Sequence, residues 1–335
     1  MPQVIRYEKP DSQLAVSTKN MSREQWLEAR KSGIGGSDIA AIMGVSPYST
    51  AYDVFISKTQ DVKDTESEYA YWGHQLEDVV AREFAKRSGL KIQNVNFMMR
   101  HPVHTFAVAN IDRAIVNKNI AGRVFFKDGA LTTDTILECK TANEYLKKDW
   151  GDEDSDAVPD QYQCQAQWYM GVTGTQVCHM AVLIGGNKFR QYKIERHDEF
   201  IEVLFEEAER FWNDHVLTGI APEATTLQNA KDKYPRHDPD TTLELSDDSE
   251  EIAIIDRYVE LKEREKALKT EIEDAQTKLI CLIGNNEAVT VDGDVALTYK
   301  TQVASRVNTK ALKADMPEIA QLYTTVTESR VVRVK

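Results

Sequence analysis

Ile136-Leu137-Glu138-Cys139-Lys140 constrains this chain more than any other stretch. An apolar run delivers a carboxylate and, two residues later, a lysine. Residues two apart on a strand share a face, so Glu138 and Lys140 are expected to reach into one space while Cys139 turns the other way. That pairing suits metal-assisted phosphodiester hydrolysis, in which carboxylates hold Mg²⁺ and a lysine lies beside the attacking water. Taken alone, a Glu-x-Lys strand more often marks a solvated face. Two further acids change its company. Asp112 closes the apolar stretch Val108-Ala109-Asn110-Ile111, where a carboxylate is costly if buried unpaired. Glu77 borders the apolar side of a helix carrying Leu76, Val79 and Val80. Its bland reading is an acid favoured by the helix dipole.

The chain has 335 residues, 41% of them hydrophobic, enough for one large domain or two smaller ones. No apolar run approaches the ~18 residues of a membrane span. Met1 to Asn20 is polar and lacks the apolar segment of a signal peptide. Four cysteines are scattered without a Cys-x-x-Cys pair, so neither a disulfide framework nor a zinc site is expected, and a reducing cytoplasm fits. The net charge of −13 weighs against nucleic-acid binding, which calls for a basic footprint. The acids are clustered, however, in Asp61–Glu68, Asp149–Asp160, Asp198–Glu209 and Asp247–Glu251. A basic channel can coexist with them, so any grip on DNA is local.

Ser22–Arg30 reads as a helix with Ser22 as N-cap. Gly33-Ile34-Gly35-Gly36-Ser37-Asp38 then leads into a short helix expected to be capped by Ser37. Helices are expected over Ala51–Lys58 and Trp72–Ser88. Strands follow at Lys91–Met99, His104–Ala109, Ala114–Val116 and Thr135–Lys140. After the acidic loop come a helix at Gln161–Gly171, strands at Gln176–Ile184 and Phe189–Ile194, and a helix at Asp198–Leu217. This order suits an α/β fold with a central mixed sheet flanked by helices. Residues 1–224 are expected as one domain and 225–248 as a linker. Residues 249–335 form an α+β extension with a long helix, a β-hairpin at Val289–Tyr299, a short helix at Thr309–Tyr323 and a last strand at Ser329–Val334. The long helix carries Leu261, Leu268, Ala275 and Leu282 on one heptad row, and Tyr258, Ile272 and Leu279 on the other, interrupted by Glu265. It is expected to pack within its own domain.

Two more constellations stand beside the acid–lysine set. Arg30 with Gly35-Gly36-Ser37 joins an arginine to a glycine-rich helix start with a hydroxyl, a set able to clamp a phosphate. An ordinary capped turn explains it equally well, and no P-loop lysine follows. Gln161-Tyr162-Gln163-Cys164-Gln165 places Tyr162 and Gln165 on one helical face, where a merely polar surface is the plainer explanation. His101 and His104 read as structural.

Ile34-Gly35-Gly36-Ser37-Asp38-Ile39-Ala40, Trp72-Gly73-His74-Gln75-Leu76-Glu77, Asn110-Ile111-Asp112, Glu138-Cys139-Lys140-Thr141 and Tyr162-Gln163-Cys164-Gln165 occur in that order. Together they resemble the YqaJ-type viral recombinases, relatives of lambda exonuclease in the PD-(D/E)XK nuclease superfamily, over about Ser22–Leu217. The resemblance implies a restriction-endonuclease-like core. It also implies an enzyme that degrades one strand of linear double-stranded DNA from the 5′ end and leaves 3′ overhangs for recombination by strand annealing. Carried over residue by residue, Asp112, Glu138 and the backbone carbonyl of Cys139 hold Mg²⁺, in a two-metal site that Mn²⁺ can substitute. Lys140 positions or activates the water, and Glu77 supports the second metal or the water. Arg30, Ser37, Asn110 and Gln165 match positions that bind the 5′-phosphate, with Tyr162 beside them. Asn110 stands where the lambda enzyme has a serine, and the Asp112–Glu138 separation is longer, which predicts a hairpin excursion over 117–134. The resemblance further implies a homotrimeric ring around DNA, a single-strand annealing protein as partner, and a phage or prophage protein in the bacterial cytoplasm. Two alternatives remain: a structure- or site-specific endonuclease of the same superfamily, and a non-catalytic DNA-end-binding protein. Iron–sulfur nucleases of the superfamily do not fit, because the cysteines form no cluster.

Overall fold

The computed structural model describes residues 15–61, 67–127, 130–153, 155–246 and 249–334. Two compact units meet between Ala230 and Lys231. The first begins with β1 (Ala15–Ser17), α1 (Arg23–Lys31), α2 (Gly36–Ile42), α3 (Ala51–Thr59) and α4 (Glu68–Ser88). Strands β2 (Ile92–Asn94), β3 (Phe97–Arg100), β4 (Val108–Ala109), β5 (Arg113–Ile115), β6 (Phe126–Lys127), β7 (Ala130–Leu131) and β8 (Thr135–Ala142) follow. Then come α5 (Asp160–Thr173), β9 (Val177–Ile184), β10 (Lys188–Glu195), α6 (Asp198–Phe211), and α7 (Leu227–Lys233), which runs across the unit boundary.

The central sheet has the order β10-β9-β8-β5-β2. Only its β8–β9 pair is parallel, and α5 supplies the crossover that a parallel pair needs. This is the mixed sheet between helices that the order of elements predicts. β8 lies at its centre and alternates as a strand must. Leu137 and Cys139 pack beneath α4 with Val80, Phe84 and Ala181. Ile136 faces the other way, into the larger core with Trp168, Met170 and Met180. Glu138 and Lys140 share that second face.

Several expectations change. Lys91–Met99 is not one strand: β2 belongs to the central sheet, while β3 joins β1 and β4 in a separate one. Ser37 does not cap α2. The N-cap is Gly35, and the Asp38 carboxylate reaches back to accept its N–H at 2.8 Å. The expected linker opens with α7, where buried Asn229 donates to Asp53 at 2.8 Å and accepts from Thr50 at 2.9 Å, fastening this segment to α3. The excursion over 117–134 contains the β6–β7 ladder.

The second unit consists of α8 (Ile252–Ile283), β11 (Ala288–Val291), β12 (Asp294–Thr298), α9 (Thr309–Asp315) and α10 (Pro317–Leu322). Asp292 and Gly293 turn the hairpin with φ of 52° and 91°, the positive values a tight two-residue turn requires. The helix expected over Thr309–Tyr323 is broken by Pro317, which brings no N–H and disfavours a helical residue before it. Ser329–Val334 forms no strand. The long helix does not pack within its unit as expected: Leu261, Leu268, Ile272, Leu279 and Leu282 are all exposed.

Candidate active site

One cavity of about 550 Å³ is lined by Arg30, Ser37, Glu77, Asn110, Asp112, Glu138, Cys139, Lys140, Tyr162 and Gln165. Every residue that the sequence assigned to the metal or phosphate site therefore lines the same space. Trp26, Tyr48, Gly73, His74 and Tyr169 complete much of its wall.

The carboxylate side is built by β8 and the strand end before β5. Glu138 is only 3% exposed. Its Oε1 accepts from Lys140 Nζ at 2.7 Å and from Gln165 Nε2 at 2.9 Å, while Oε2 is buried with no hydrogen-bond partner among the described residues. Asp112 Oδ2 accepts the Cys139 backbone N–H at 2.8 Å, which ties the Asp112 carboxylate to the middle of β8. Burial and the neighbouring Glu138 push the Asp112 carboxyl well above the usual carboxylate range. Burial also raises Glu138, with Lys140 opposing. For Lys140 burial alone would favour loss of the proton, but Glu138 and Asp112 outweigh it and hold the ammonium charged. The Nζ also lies 5.1 Å from the centre of the Tyr162 ring, a cation–π arrangement. Burial lifts the Tyr162 hydroxyl to about 12, so it stays protonated.

Sequence reasoning missed three partners in this half. Arg113, buried on β5, donates to Glu77 at 2.5 Å, to the Asp112 carbonyl at 2.7 Å and to Asp78 at 3.3 Å. Glu77 thus reaches the cavity with one oxygen already held. Tyr169 takes a hydrogen bond from Gln165 Nε2 at 3.0 Å. Both amide hydrogens of Gln165 are therefore directed at Glu138 and Tyr169. In this arrangement Gln165 braces the carboxylate and presents only its carbonyl oxygen elsewhere, which cannot donate to a phosphate.

The other side is built by α1 and α2. Gly36 is required where α2 crosses α5: a Cβ there would lie 2.7 Å from the Tyr169 ring and 2.8 Å from Gln165 Cγ. Arg30 Nη2 donates to Ser37 Oγ at 2.9 Å and to Asp38 at 3.1 Å, and the guanidinium lies 4.9 Å from the Trp26 ring centre. Beneath it is a pair the sequence reading passed over. Buried Lys58 donates to Asp38 at 2.6 Å and to the Arg30 carbonyl at 3.0 Å. Burial would raise the Asp38 carboxyl, but Lys58 and Arg30 beside it hold it down to about 2. The trio carries one net positive charge, with Arg30 fixed on the cavity side. Asp38→Asn strands Lys58, and removing one partner of a buried pair typically costs about 3–5 kcal/mol. The expected result is a lower urea midpoint, partly recovered in the Asp38→Asn/Lys58→Met double variant. Because the folded Asp38 value lies below the unfolded one, this stabilisation is present above about pH 4 and fades as pH falls towards 2. Asp38→Asn should therefore flatten the acid limb of the stability curve; an unchanged midpoint would show that the pair is not structural.

His101 is buried, its ring 5.1 Å from His104 and 5.1 Å from Phe205, and burial lowers it to about 4. It packs as the structural residue expected.

The cavity suits a hard divalent cation. Its acidic donors are oxygens, Glu138 Oε2 is a buried acceptor without a hydrogen-bond partner among the described residues, and Cys139 borders the same space with its thiol turned away. Among the described residues no group of three or more His, Cys, Asp or Glu side chains is placed so that it could hold a metal ion.

The sequence profile of the YqaJ-like viral recombinase domain matches residues 25–176. The uncharacterized protein YqaJ of Bacillus subtilis (strain 168) is 35% identical over 325 residues, covering 92% of each chain. Among solved structures, an alkaline exonuclease from Laribacter hongkongensis aligns with a TM-score of 0.44 and 19% identity, over 59% of this chain and 94% of that one. A phage-related exonuclease from Haemophilus somnus 129PT aligns at 0.38 and 12% identity, over 56% and 96%. No helix among the described residues is long and apolar enough to cross a membrane.

Proposed function

The chain belongs to the YqaJ-like viral recombinase family, and from that premise we propose that it is a Mg²⁺-dependent 5′→3′ exonuclease of linear double-stranded DNA. Its product is a duplex with 3′ single-stranded overhangs, the substrate for a single-strand annealing protein in phage-type recombination. One observation carries this reading: the acid–lysine cluster and the fixed Arg30–Ser37 pair line the same cavity. A phosphate-holding group beside a hydrolytic centre favours cutting at a set distance from an end.

Asp112, Glu138 and the Cys139 carbonyl are the groups that hold the metal, with Glu77 supporting a second ion or the water. The metal, when bound, polarises the scissile phosphate and stabilises the leaving oxygen. Lys140 keeps its proton beside two carboxylates, so its role is to orient the attacking water and to offset negative charge as it develops, not to act as a base. Gln165 and Tyr169 fix the Glu138 carboxylate. Arg30, Ser37 and Asn110 receive the terminal phosphate, with Tyr162 between the two halves. Gln165 joins the phosphate set only by releasing Glu138 or Tyr169. A ring of three copies around the duplex fits this activity, since enclosure would retain DNA despite a net charge of −13.

The test is digestion of linear duplex carrying a 5′-phosphate or a 5′-hydroxyl, with and without Mg²⁺, beside covalently closed circles. The phosphorylated end should be degraded on the order of tenfold faster, the worth of about one charged hydrogen bond. Circles should survive, and omission of Mg²⁺ should stop release of nucleotides. Equal rates on the two ends would remove the phosphate pocket. Nicked or linearised circles would establish an endonuclease.

A further inference from the structure

The second unit buries little of itself. Ile283 and Ala320 are the buried apolar side chains among its described residues. Along α8, Tyr258, Leu261, Leu268, Ile272, Leu279 and Leu282 are exposed, and with Glu265 and Ala275 they make a row at alternating spacings of three and four. These are the a and d positions of successive heptads, a seam that ordinarily faces another helix.

The flanks of the seam say what kind of helix fits. The e and g positions carry Arg257, Lys262, Arg264, Lys269 and Lys278 against a single acid, Glu271. A parallel pair of two copies would set Arg257 against Lys262 and Arg264 against Lys269, each twice by symmetry. It would also place Glu265 against its own copy in an a layer. In an antiparallel pair Glu271 can answer only one of the five basic positions. Within the helix Arg257 pairs with Glu260 at 2.6 Å, Arg264 with Glu260 at 3.9 Å, Lys262 with Glu265 and Lys269 with Glu273 at 4.0 Å, all of them exposed. Such pairs contribute little and yield to a better partner. The acids of α8 otherwise lie on its outer side, at Asp256, Glu263 and Asp274.

We propose that α8 is the docking surface for an amphipathic helix of another protein. That helix has an apolar heptad seam, Asp or Glu at its flanking positions, and a basic side chain facing Glu265. Like-charge flanks exclude a second copy of this chain, and opposite charge selects the partner. The inference rests on the second unit alone and is independent of the reading of the cavity.

The experiment uses the full chain and two labelled synthetic helical peptides with one leucine seam. The first carries Glu at the flanks and Lys opposite Glu265, and the second carries Lys at the flanks. Fluorescence anisotropy at low salt should show the acidic peptide binding at least tenfold more tightly, with the gap narrowing as salt screens the flanks. Lys269→Glu/Lys278→Glu, exposed changes away from the Lys262–Glu265 pair, should reverse the preference. Leu268→Asp should abolish binding. Equal binding of both peptides, or none by the acidic one, overturns the proposal. So does self-association in sedimentation that Leu268→Asp removes, because it would make a second copy the occupant.

Discussion

Lys140→Met should leave a folded protein that cleaves linear duplex DNA about 10²–10³-fold more slowly, the range typical for loss of one donor aimed at developing negative charge. Methionine nearly matches the length of the lysine, so packing is little disturbed. What disappears is the charge 2.7 Å from Glu138. Losing one partner of a buried pair is normally costly, but here the survivor can adapt. Burial already raises the Glu138 carboxyl, and without Lys140 it can take up a proton instead of remaining an uncompensated anion. Thermal melting by circular dichroism should therefore show a modest shift, while initial rates on 5′-phosphorylated duplex collapse. More than a tenth of wild-type activity in a folded Lys140→Met protein would remove Lys140 from the reaction.

Much of this site was legible because strand periodicity is strict. Once Ile136–Lys140 is a strand, Glu138 and Lys140 must share a face and Cys139 must take the other, and the structure places all three so. That Arg30, Asn110 and Gln165 share one space was implied by the family resemblance and not by periodicity: Arg30 lies near the end of α1 and Asn110 follows β4, but Gln165 sits in the middle of α5. The bracing residues were harder to see. Arg113 follows Asp112 directly, and a charge within an apolar stretch is itself a sign of a buried pair. Its partners Glu77 and Asp78 lie more than thirty positions earlier, however, and depend on how α4 crosses the sheet. Lys58 and Asp38 are likewise joined only by the packing of α3 on α2. Ser37 was a reasonable cap by residue type, but Asp38, one position further on, reaches back to Gly35 and leaves Ser37 to Arg30. The heptads of α8 were readable as a seam. What the pattern could not show is that the described residues of its own unit leave it exposed, since that depends on where the later elements come to lie.

Asp112→Asn should abolish cleavage and at the same time stabilise the ion-free protein. An asparagine oxygen can still accept the Cys139 N–H, so the link between β8 and the Asp112 loop survives. The charge does not, and that charge is a burden without a cation: burial, Glu138 and Glu77 all raise the Asp112 carboxyl. A carboxyl whose folded value lies above its unfolded value contributes most below the unfolded value and costs stability as pH rises past it. Wild-type protein without divalent ions should therefore weaken as pH climbs from about 4, at up to about 1.4 kcal/mol per pH unit for a single proton. Asp112→Asn should flatten that decline and melt higher than wild type at pH 8. Mg²⁺ should reverse the order, because an ion that binds only the folded state stabilises the chain able to hold it. Melting both proteins across pH 5–9 with and without Mg²⁺ separates the two effects. If Mg²⁺ raises both melting temperatures equally, Asp112 does not hold the ion; if the variant melts lower without ions at pH 8, carboxylate repulsion is not what limits the empty site. Stability and activity are thus expected to move in opposite directions at this residue. That is the behaviour of a group placed to bind a cation, since one placed to hold the fold together would lose both.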